Sequence, residues 1–327
     1  MDDFKAFRIF ETDGGSEGRI ASMSLDELSP GDVVIRAAYS SVNYKDALAG
    51  TGTGKIVRGF PRVGGIDVAG SVVSSTDPRF SDGADVLVTG HDMSVTHDGG
   101  YAEYVRVPAD WVVPLPDGLS PFGAMAIGTA GFTVALSIIE MERNGLTPEA
   151  GPVIVTGSTG GVGSIAVDLL ATLGYEVTAL TGKADAHDYL RTLGAREVLS
   201  RNSLEMGTRP LEKARWAGAV DPAGGAILAW LTRTMRHGGC IASSGLTAGV
   251  ELSTTVLPFI LRGVKLLGID SAMCSAEQRR EVWARLAAEM KLSHTDAIVR
   301  EIALDGLPDA FATLLKGDAR GRFVVKI

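Results

Sequence analysis

The run Val153-Ile154-Val155-Thr156-Gly157-Ser158-Thr159-Gly160-Gly161-Val162-Gly163-Ser164-Ile165-Ala166-Val167-Asp168-Leu169-Leu170 decides the fold. A β-branched apolar segment ends in closely spaced glycines, and these open a helix with apolar residues at helical spacing. That is the context of a dinucleotide-binding turn. Small residues let the chain turn sharply and let a pyrophosphate approach the backbone, while Gly163 lets the helix pack closely on the strand. Unpaired N–H groups at the helix start, with the helix dipole, favour the phosphates. Thr159, Gly160, Gly161 and Val162 are the residues expected there. The plain alternative is a tight strand–helix turn without a ligand.

Beyond this turn, strands are expected over residues 153–156, 175–181, 197–200, 217–221, 239–243 and 264–269, with helices over 162–173, 184–193 and 226–235. The alternation places the chain in the α/β class, with a Rossmann-type doubly wound parallel sheet. The preceding part is β-rich, with short strands over 4–10, 33–39, 67–74, 84–89 and 101–107 and a polar, glycine-rich loop over 12–18. Ser120-Pro121 supplies an N-cap and a first helical residue for a long apolar stretch to Met141. An amphipathic helix is expected over 275–290, then a strand over 298–303, a helix over 307–315 and a strand over 322–327. These last three do not extend the dinucleotide unit. The expected domains are 1–123 together with 292–327, and 124–291.

A chain of 327 residues is longer than one core comfortably supports, which agrees with two domains. With 45% hydrophobic and 21% charged residues it reads as a soluble globule. The net charge of −8 and the scattered basic residues give no electrostatic case for nucleic acid. Every apolar run is interrupted before the roughly 18 to 20 residues of a membrane span. Met1-Asp2-Asp3-Phe4-Lys5 lacks the layout of a signal peptide. Cys240 and Cys274 stand in no metal or redox spacing, so a cytoplasmic location is the default expectation.

The cofactor reading comes from the second parallel strand, which ends in Thr181-Gly182-Lys183 rather than in the carboxylate that grips an NAD ribose. Thr181 can donate a hydrogen bond, Gly182 permits close approach, and Lys183 and Arg201 offer cations to a 2′-phosphate. NADPH is therefore expected over NADH. Asp185 is the counter-evidence, since it could reach the ribose if the loop folds differently.

Several segments together resemble the medium-chain dehydrogenase/reductase superfamily, and within it the acryloyl-CoA reductase group, also labelled quinone oxidoreductases of the YhdH/YhfP type. They are Ser41-Val42-Asn43-Tyr44-Lys45-Asp46, Gly52-Thr53-Gly54-Lys55-Ile56-Val57-Arg58, Gly65-Ile66-Asp67-Val68-Ala69-Gly70, Asp98-Gly99-Gly100-Tyr101-Ala102-Glu103-Tyr104, Tyr189-Leu190-Arg191-Thr192-Leu193-Gly194-Ala195 and Gly321-Arg322-Phe323-Val324-Val325. The resemblance implies a GroES-like catalytic domain beside the NADPH-binding Rossmann domain, and a homodimer, which residues 264–269 could form by edge pairing. Zinc-dependent alcohol dehydrogenases carry a cysteine where this chain has Val42-Asn43-Tyr44, and a histidine–glutamate pair where it has Ile66-Asp67. Without those ligands no metal is expected, and the five histidines read as surface residues.

What the resemblance implies is a zinc-independent, NADPH-dependent reductase of an activated C=C bond, with acryloyl-CoA as the suggested substrate. Alternatives are a quinone oxidoreductase or a reductase of free α,β-unsaturated carbonyls, or an NADPH-binding sensor without turnover. Tyr44 is the expected catalytic residue, either donating the α-proton or holding the nicotinamide ribose, with Asn43 orienting cofactor or substrate carbonyl. Asp46 is expected to brace the following helix. Thr129, Gly245, Leu246, Ile269 and Ser271 are expected near the nicotinamide, and Arg322 either near the cofactor or in a salt bridge. Lys55, Arg58 and Arg62 form a basic cluster, either for CoA phosphates or simply solvated.

Overall fold

The computed structural model describes residues 3–327; Met1 and Asp2, within the first expected domain, lie outside the described residues. Two compact units are present. One comprises the chain through Thr129 with Ala272–Ala287 and Val299–Ile327, the other Ala130–Ser271 with Ala288–Ile298. Residues 272–287 thus group with the β-rich unit, where the sequence reading had them with the nucleotide domain. Arg279 is the physical reason: it is buried, and its Nη1 donates to the Thr89 carbonyl at 2.8 Å.

The first unit opens with β1 (Phe4–Thr12) and β2 (Gly15–Met23). They pair antiparallel with Thr12 opposite Gly15, so only Asp13 and Gly14 turn the chain. The expected loop over 12–18 is therefore a hairpin with an Asp-Gly turn. Strand β2 is mostly exposed and lacks the apolar alternation that marks a half-buried strand. Next come β3 (Val33–Ser41), α1 (Tyr44–Gly50), β4 (Arg62–Val63), β5 (Asp67–Ser75), β6 (Asp85–Thr89), β7 (Tyr104–Val107) and β8 (Val113–Pro114).

Helix α2 (Pro121–Arg143) is interrupted at Gly128, whose φ of 51° and ψ of −162° only glycine adopts easily. By length and composition this helix could cross a membrane, with a mean hydropathy of 1.8 over its best window, which corrects the expectation that no such stretch exists. That window is 83% buried inside the protein, where its apolar side chains pack.

The second unit contains β9 (Val153–Val155), α3 (Gly161–Thr172), β10 (Val177–Thr181), α4 (His187–Thr192), β11 (Glu197–Ser200), β12 (Trp216–Asp221), α5 (Gly225–Thr234), β13 (Met235–Ser243), α6 (Leu257–Arg262) and β14 (Lys265–Gly268). All six strands are parallel, in the order β11-β10-β9-β12-β13-β14. This is the doubly wound 3-2-1-4-5-6 order, with its switch point between β9 and β12. Helix α6 was not expected. Pro258 sits in its first turn and Gly263 closes it in the left-handed region, so a short apolar run with a proline folds as a helix.

After α7 (Ala276–Ala287) and α8 (Thr295–Ile298), the chain supplies β15 (Val299–Ala303), α9 (Leu307–Leu315) and β16 (Arg322–Lys326) to the first unit. Strand β16 pairs antiparallel with β3, Val324 opposite Ser41, in a sheet ordered β15-β16-β3-β5-β6-β8 with β7 also on β3. Edge-on contacts of Phe7 with Phe311 (5.6 Å) and Tyr101 (6.3 Å) mark one core of this unit.

Candidate active site

Strand β3 ends at Ser41, and two residues later Asn43 takes the extended conformation of an N-cap before α1. Asp46 braces this start: its Oδ2 accepts the Asn43 N–H at 2.8 Å and Asn43 Nδ2 at 3.1 Å, and its Oδ1 accepts the Ile66 N–H at 3.0 Å. Asp46 itself is buried. Burial, reinforced by the neighbouring Asp67 carboxylate, pushes the Asp46 carboxyl up to about 7.

Asp67, at the start of β5, is the hub that the sequence reading missed. Its Oδ2 accepts hydrogen bonds from Ser41 Oγ (2.5 Å), Asn43 Nδ2 (2.8 Å) and the Thr129 N–H (2.9 Å), while Oδ1 accepts from Thr129 Oγ1. Arg322 is the counter-charge. Its Nη2 stands 4.0 Å from Asp67 Oδ2 and donates to Ser41 Oγ at 2.7 Å, and its Nη1 reaches Asn43 Oδ1 at 3.4 Å. Burial pulls the guanidinium below its ordinary value, against the pull of Asp67 and Asp46. Tyr101 closes the cluster, its hydroxyl donating to the Ser41 carbonyl at 3.0 Å, and burial holds that phenol well above its usual range.

Both Asn43 amide hydrogens are committed, one to Asp46 and one to Asp67, so Asn43 holds the turn and has none left for a substrate carbonyl. Thr129 likewise gives both its N–H and its hydroxyl hydrogen to Asp67. Tyr44 differs. Its backbone opens α1 within this clamp, the residue is 40% exposed, and among the described residues its hydroxyl makes no hydrogen bond.

The basic cluster divides. Lys55 and Arg58 are exposed. Arg62 is half-buried and engaged: its Nη1 donates to Ser29 Oγ at 2.8 Å and lies 3.7 Å from buried Asp98 Oδ1. The histidines also need correction. His97 is buried, with Nε2 2.9 Å from the Pro30 carbonyl, and His91 stacks on Trp111 at 5.0 Å, where desolvation lowers its pKa to about 4. In the second unit His294 Nδ1 meets Asp168 Oδ1 at 2.7 Å. Among the described residues no three His, Cys, Asp or Glu side chains gather as metal ligands.

In the second unit the glycine turn divides its work. Gly157 has φ of +54°, and a Cβ on Gly163 would lie 2.2 Å from the Gly157 carbonyl oxygen, so both are required by the chain itself. Gly160, the N-cap of α3, is different. Its φ is −77°, and a Cβ there would meet nothing closer than Gly157 O at 3.5 Å. The protein alone does not require that glycine, and open space at a helix N-terminus fits the approach of a pyrophosphate. Gly161 and Val162 open α3 half-buried beside it, with Thr159 buried just before.

At the end of β10, Thr181 Oγ1 accepts the Lys183 N–H at 3.1 Å and keeps its own hydrogen to donate. The Arg201 guanidinium lies against Gly182, 2.9 Å from where a Cβ would be. Thr181, Gly182 and Arg201 are thus gathered, and Lys183 is half-buried beside them. Gly245 packs on Pro222, where a Cβ would lie 2.3 Å from the carbonyl oxygen, and Leu246 is exposed. Ile269 donates its N–H to the Ser243 carbonyl at 3.0 Å, and Ser271 Oγ accepts from Thr133 Oγ1 at 2.7 Å.

Family models match in the same two places: the alcohol dehydrogenase GroES-like domain over residues 29–117 and the zinc-binding dehydrogenase model over 161–289. The chain belongs to the medium-chain dehydrogenase/reductase superfamily, in its acryloyl-CoA reductase group of oxidoreductases. YhfP of Bacillus subtilis, named a candidate quinone oxidoreductase, is 50% identical over 310 residues, 94% of each chain. The acrylyl-CoA reductase AcuI of Ruegeria pomeroyi is 46% identical over 318 residues, 97% of this chain and 96% of that one. Among solved structures, the yhdH oxidoreductase of Salmonella enterica in complex with NADP superposes with a TM-score of 0.96 at 46% identity, covering 99% of both chains. The Bacillus subtilis yhfP structure, with NAD bound, gives 0.97 at 47% identity and covers both chains completely.

Proposed function

We propose that this oxidoreductase uses NADPH to reduce the activated C=C bond of a short 2-enoyl-CoA, with acryloyl-CoA as the leading substrate. The first unit carries the catalytic tyrosine and the second holds the dinucleotide. When bound, the cofactor supplies the hydride to the β-carbon. The protein must then stabilise the developing enolate and protonate the α-carbon. One observation carries the reading: Tyr44 presents an exposed, unengaged phenol from a backbone fixed by a buried network. Asn43, Asp46, Asp67 and Arg322 position it. The Thr181-Gly182-Arg201 grouping favours NADPH over NADH, and the AcuI relative supports the acyl-CoA substrate.

NADPH oxidation followed with acryloyl-CoA, crotonyl-CoA and a benzoquinone tests this. Acryloyl-CoA is expected to turn over fastest, and Tyr44→Phe to lower kcat by about 10²- to 10⁴-fold as loss of a general acid does. Quinone turnover with neither thioester reduced establishes the second reading, which the name of YhfP favours. Equal kcat/KM for NADH and NADPH removes the phosphate role of Lys183 and Arg201. We also propose a homodimer through the edge strand β14, where Leu266 and Gly268 are exposed. A monomer by light scattering at micromolar concentration contradicts it.

A further inference from the structure

Helix α5 runs back along the parallel sheet, so its C-terminus lies at the pole where the strands begin. There the Arg215 N–H, just before β12, donates to the Thr234 carbonyl at 2.8 Å. The glycine turn is at the opposite pole, at the carboxyl ends of the strands, where doubly wound sheets bind dinucleotides. Beside the C-terminus of α5 is a cavity of about 180 Å³ lined by Thr208, Pro210, Arg233, Ser253, Thr254 and Thr255. None of these residues belongs to the glycine turn or to the Thr181–Arg201 grouping.

The arginines here have unequal commitments. Arg236 donates to the Arg215 carbonyl (2.9 Å) and the Ala150 carbonyl (2.8 Å), and Arg262 to those of Arg233 (2.9 Å) and Met235 (3.2 Å). Arg262 also offsets the negative end of the α5 dipole, which would otherwise repel an anion. Arg233 has no such partner: among the described residues its guanidinium makes no hydrogen bond or ion pair, and its Nε is buried without an acceptor. Glu212 is the nearby carboxylate, but it is forked by Arg209 through Nη2 (2.8 Å) and Nε (3.2 Å). Two arginines against one glutamate leave one positive charge at the cavity.

The hydroxyls complete the chemistry. Thr255 Oγ1 accepts the Leu257 N–H at 3.3 Å and so keeps its hydrogen. Thr208 and Ser253 have no hydroxyl partner among the described residues, and Thr254 is tied to Thr232 at 2.8 Å. A half-buried arginine whose Nε is buried without an acceptor, beside hydroxyls with hydrogens to donate, is a recognition set for a tetrahedral oxyanion. The volume is below the roughly 300–1,000 Å³ of pockets that enclose whole small-molecule ligands.

We propose that this cavity is a second, phosphate-type oxyanion site, separate from the dinucleotide turn, with Arg233 as its charged anchor and Thr208, Ser253 and Thr255 as donors. It takes a free phosphate or the terminal phosphoryl group of a larger molecule. The proposal is independent of the reaction the enzyme performs.

Isothermal titration of the full chain with inorganic phosphate and, separately, with glycerol phosphate tests it, with NADP⁺ present to fill the glycine turn. Saturable phosphate binding is expected, and Arg233→Gln is expected to weaken it by about 10- to 100-fold, the worth of one charge-assisted hydrogen bond. The exposed pair Ser253→Ala with Thr255→Ala should weaken it by about three- to tenfold, and decides the matter if the Arg233 variant does not fold. Binding of inorganic phosphate alone identifies a free anion as the ligand; binding of the ester as well identifies a phosphoryl group. Absence of saturable binding, or unchanged affinity in a folded Arg233→Gln or in the hydroxyl pair, overturns the site.

Discussion

Asp67→Ala is expected to unfold at a markedly lower urea concentration, with a stability loss of about 3–5 kcal/mol, because breaking a buried pair leaves an uncompensated charge. Arg322 is buried to 3% exposure, with Asp67 its nearest counter-charge at 4.0 Å. Ser41, Asn43 and Thr129 would lose their shared acceptor at the same time. Adding Arg322→Met should recover a substantial part of the loss, since an apolar replacement of both ions avoids the stranded guanidinium. A double variant no more stable than Asp67→Ala would show that the four hydrogen bonds, rather than the charge, account for the effect.

The same variant has a predictable pH signature. The Asp46 carboxyl is raised from its ordinary 3.8 to about 7, by burial first and by Asp67 second. Below 3.8 both the folded and unfolded chains hold that proton, and the shift has no effect on stability. Between 3.8 and about 7 the unfolded chain ionises first, so stability falls with rising pH, by up to about 1.4 kcal/mol per unit, and levels off above the folded value. Asp67→Ala removes the second cause, so the decline should end at a lower pH. Thermal midpoints across that range, compared between the two proteins, read the change directly.

The parallel unit was legible because its signals are local: a β-branched strand, glycines and a helix follow one another within a few residues. Strand β2 and helix α6 were not, because the one is polar and exposed and the other short and proline-bearing. The Asn43–Asp46 brace was legible for the same local reason, being a contact across three residues. Asp67 was not, since its partners come from residues 41, 43, 129 and 322, and no spacing rule relates those four positions. A signal was available: an aspartate opening the apolar strand Asp67-Val68-Ala69 must be paired if that strand is buried. Arg62 misled in the opposite direction. Beside Lys55 and Arg58 it looks like part of a solvated cluster, yet its partner Asp98 lies far along the chain.

The glycine turn itself supports the other large effect, because two of its glycines should respond differently to the same methyl group. In Gly163→Ala the added carbon would lie 2.2 Å from Gly157 O and 2.5 Å from Ser158 Cα, both backbone atoms that cannot rotate away. The start of α3 must therefore shift, at about 1–3 kcal/mol for an overpacked site, and its N–H groups leave their positions. Losing one charge-assisted hydrogen bond to a phosphate weakens NADPH by about 10- to 100-fold. In Gly160→Ala the carbon meets only Gly157 O at an ordinary 3.5 Å, and the backbone needs no positive φ. Its stability should change little, while NADPH affinity falls to a similar degree if the pyrophosphate sits where we propose, because the methyl would fill that space. Fluorescence titration with NADPH, beside the urea midpoint of each variant, separates the two. If Gly160→Ala bound NADPH as the parent does, this position would be glycine without a ligand reason, and the pyrophosphate would have to approach the turn elsewhere.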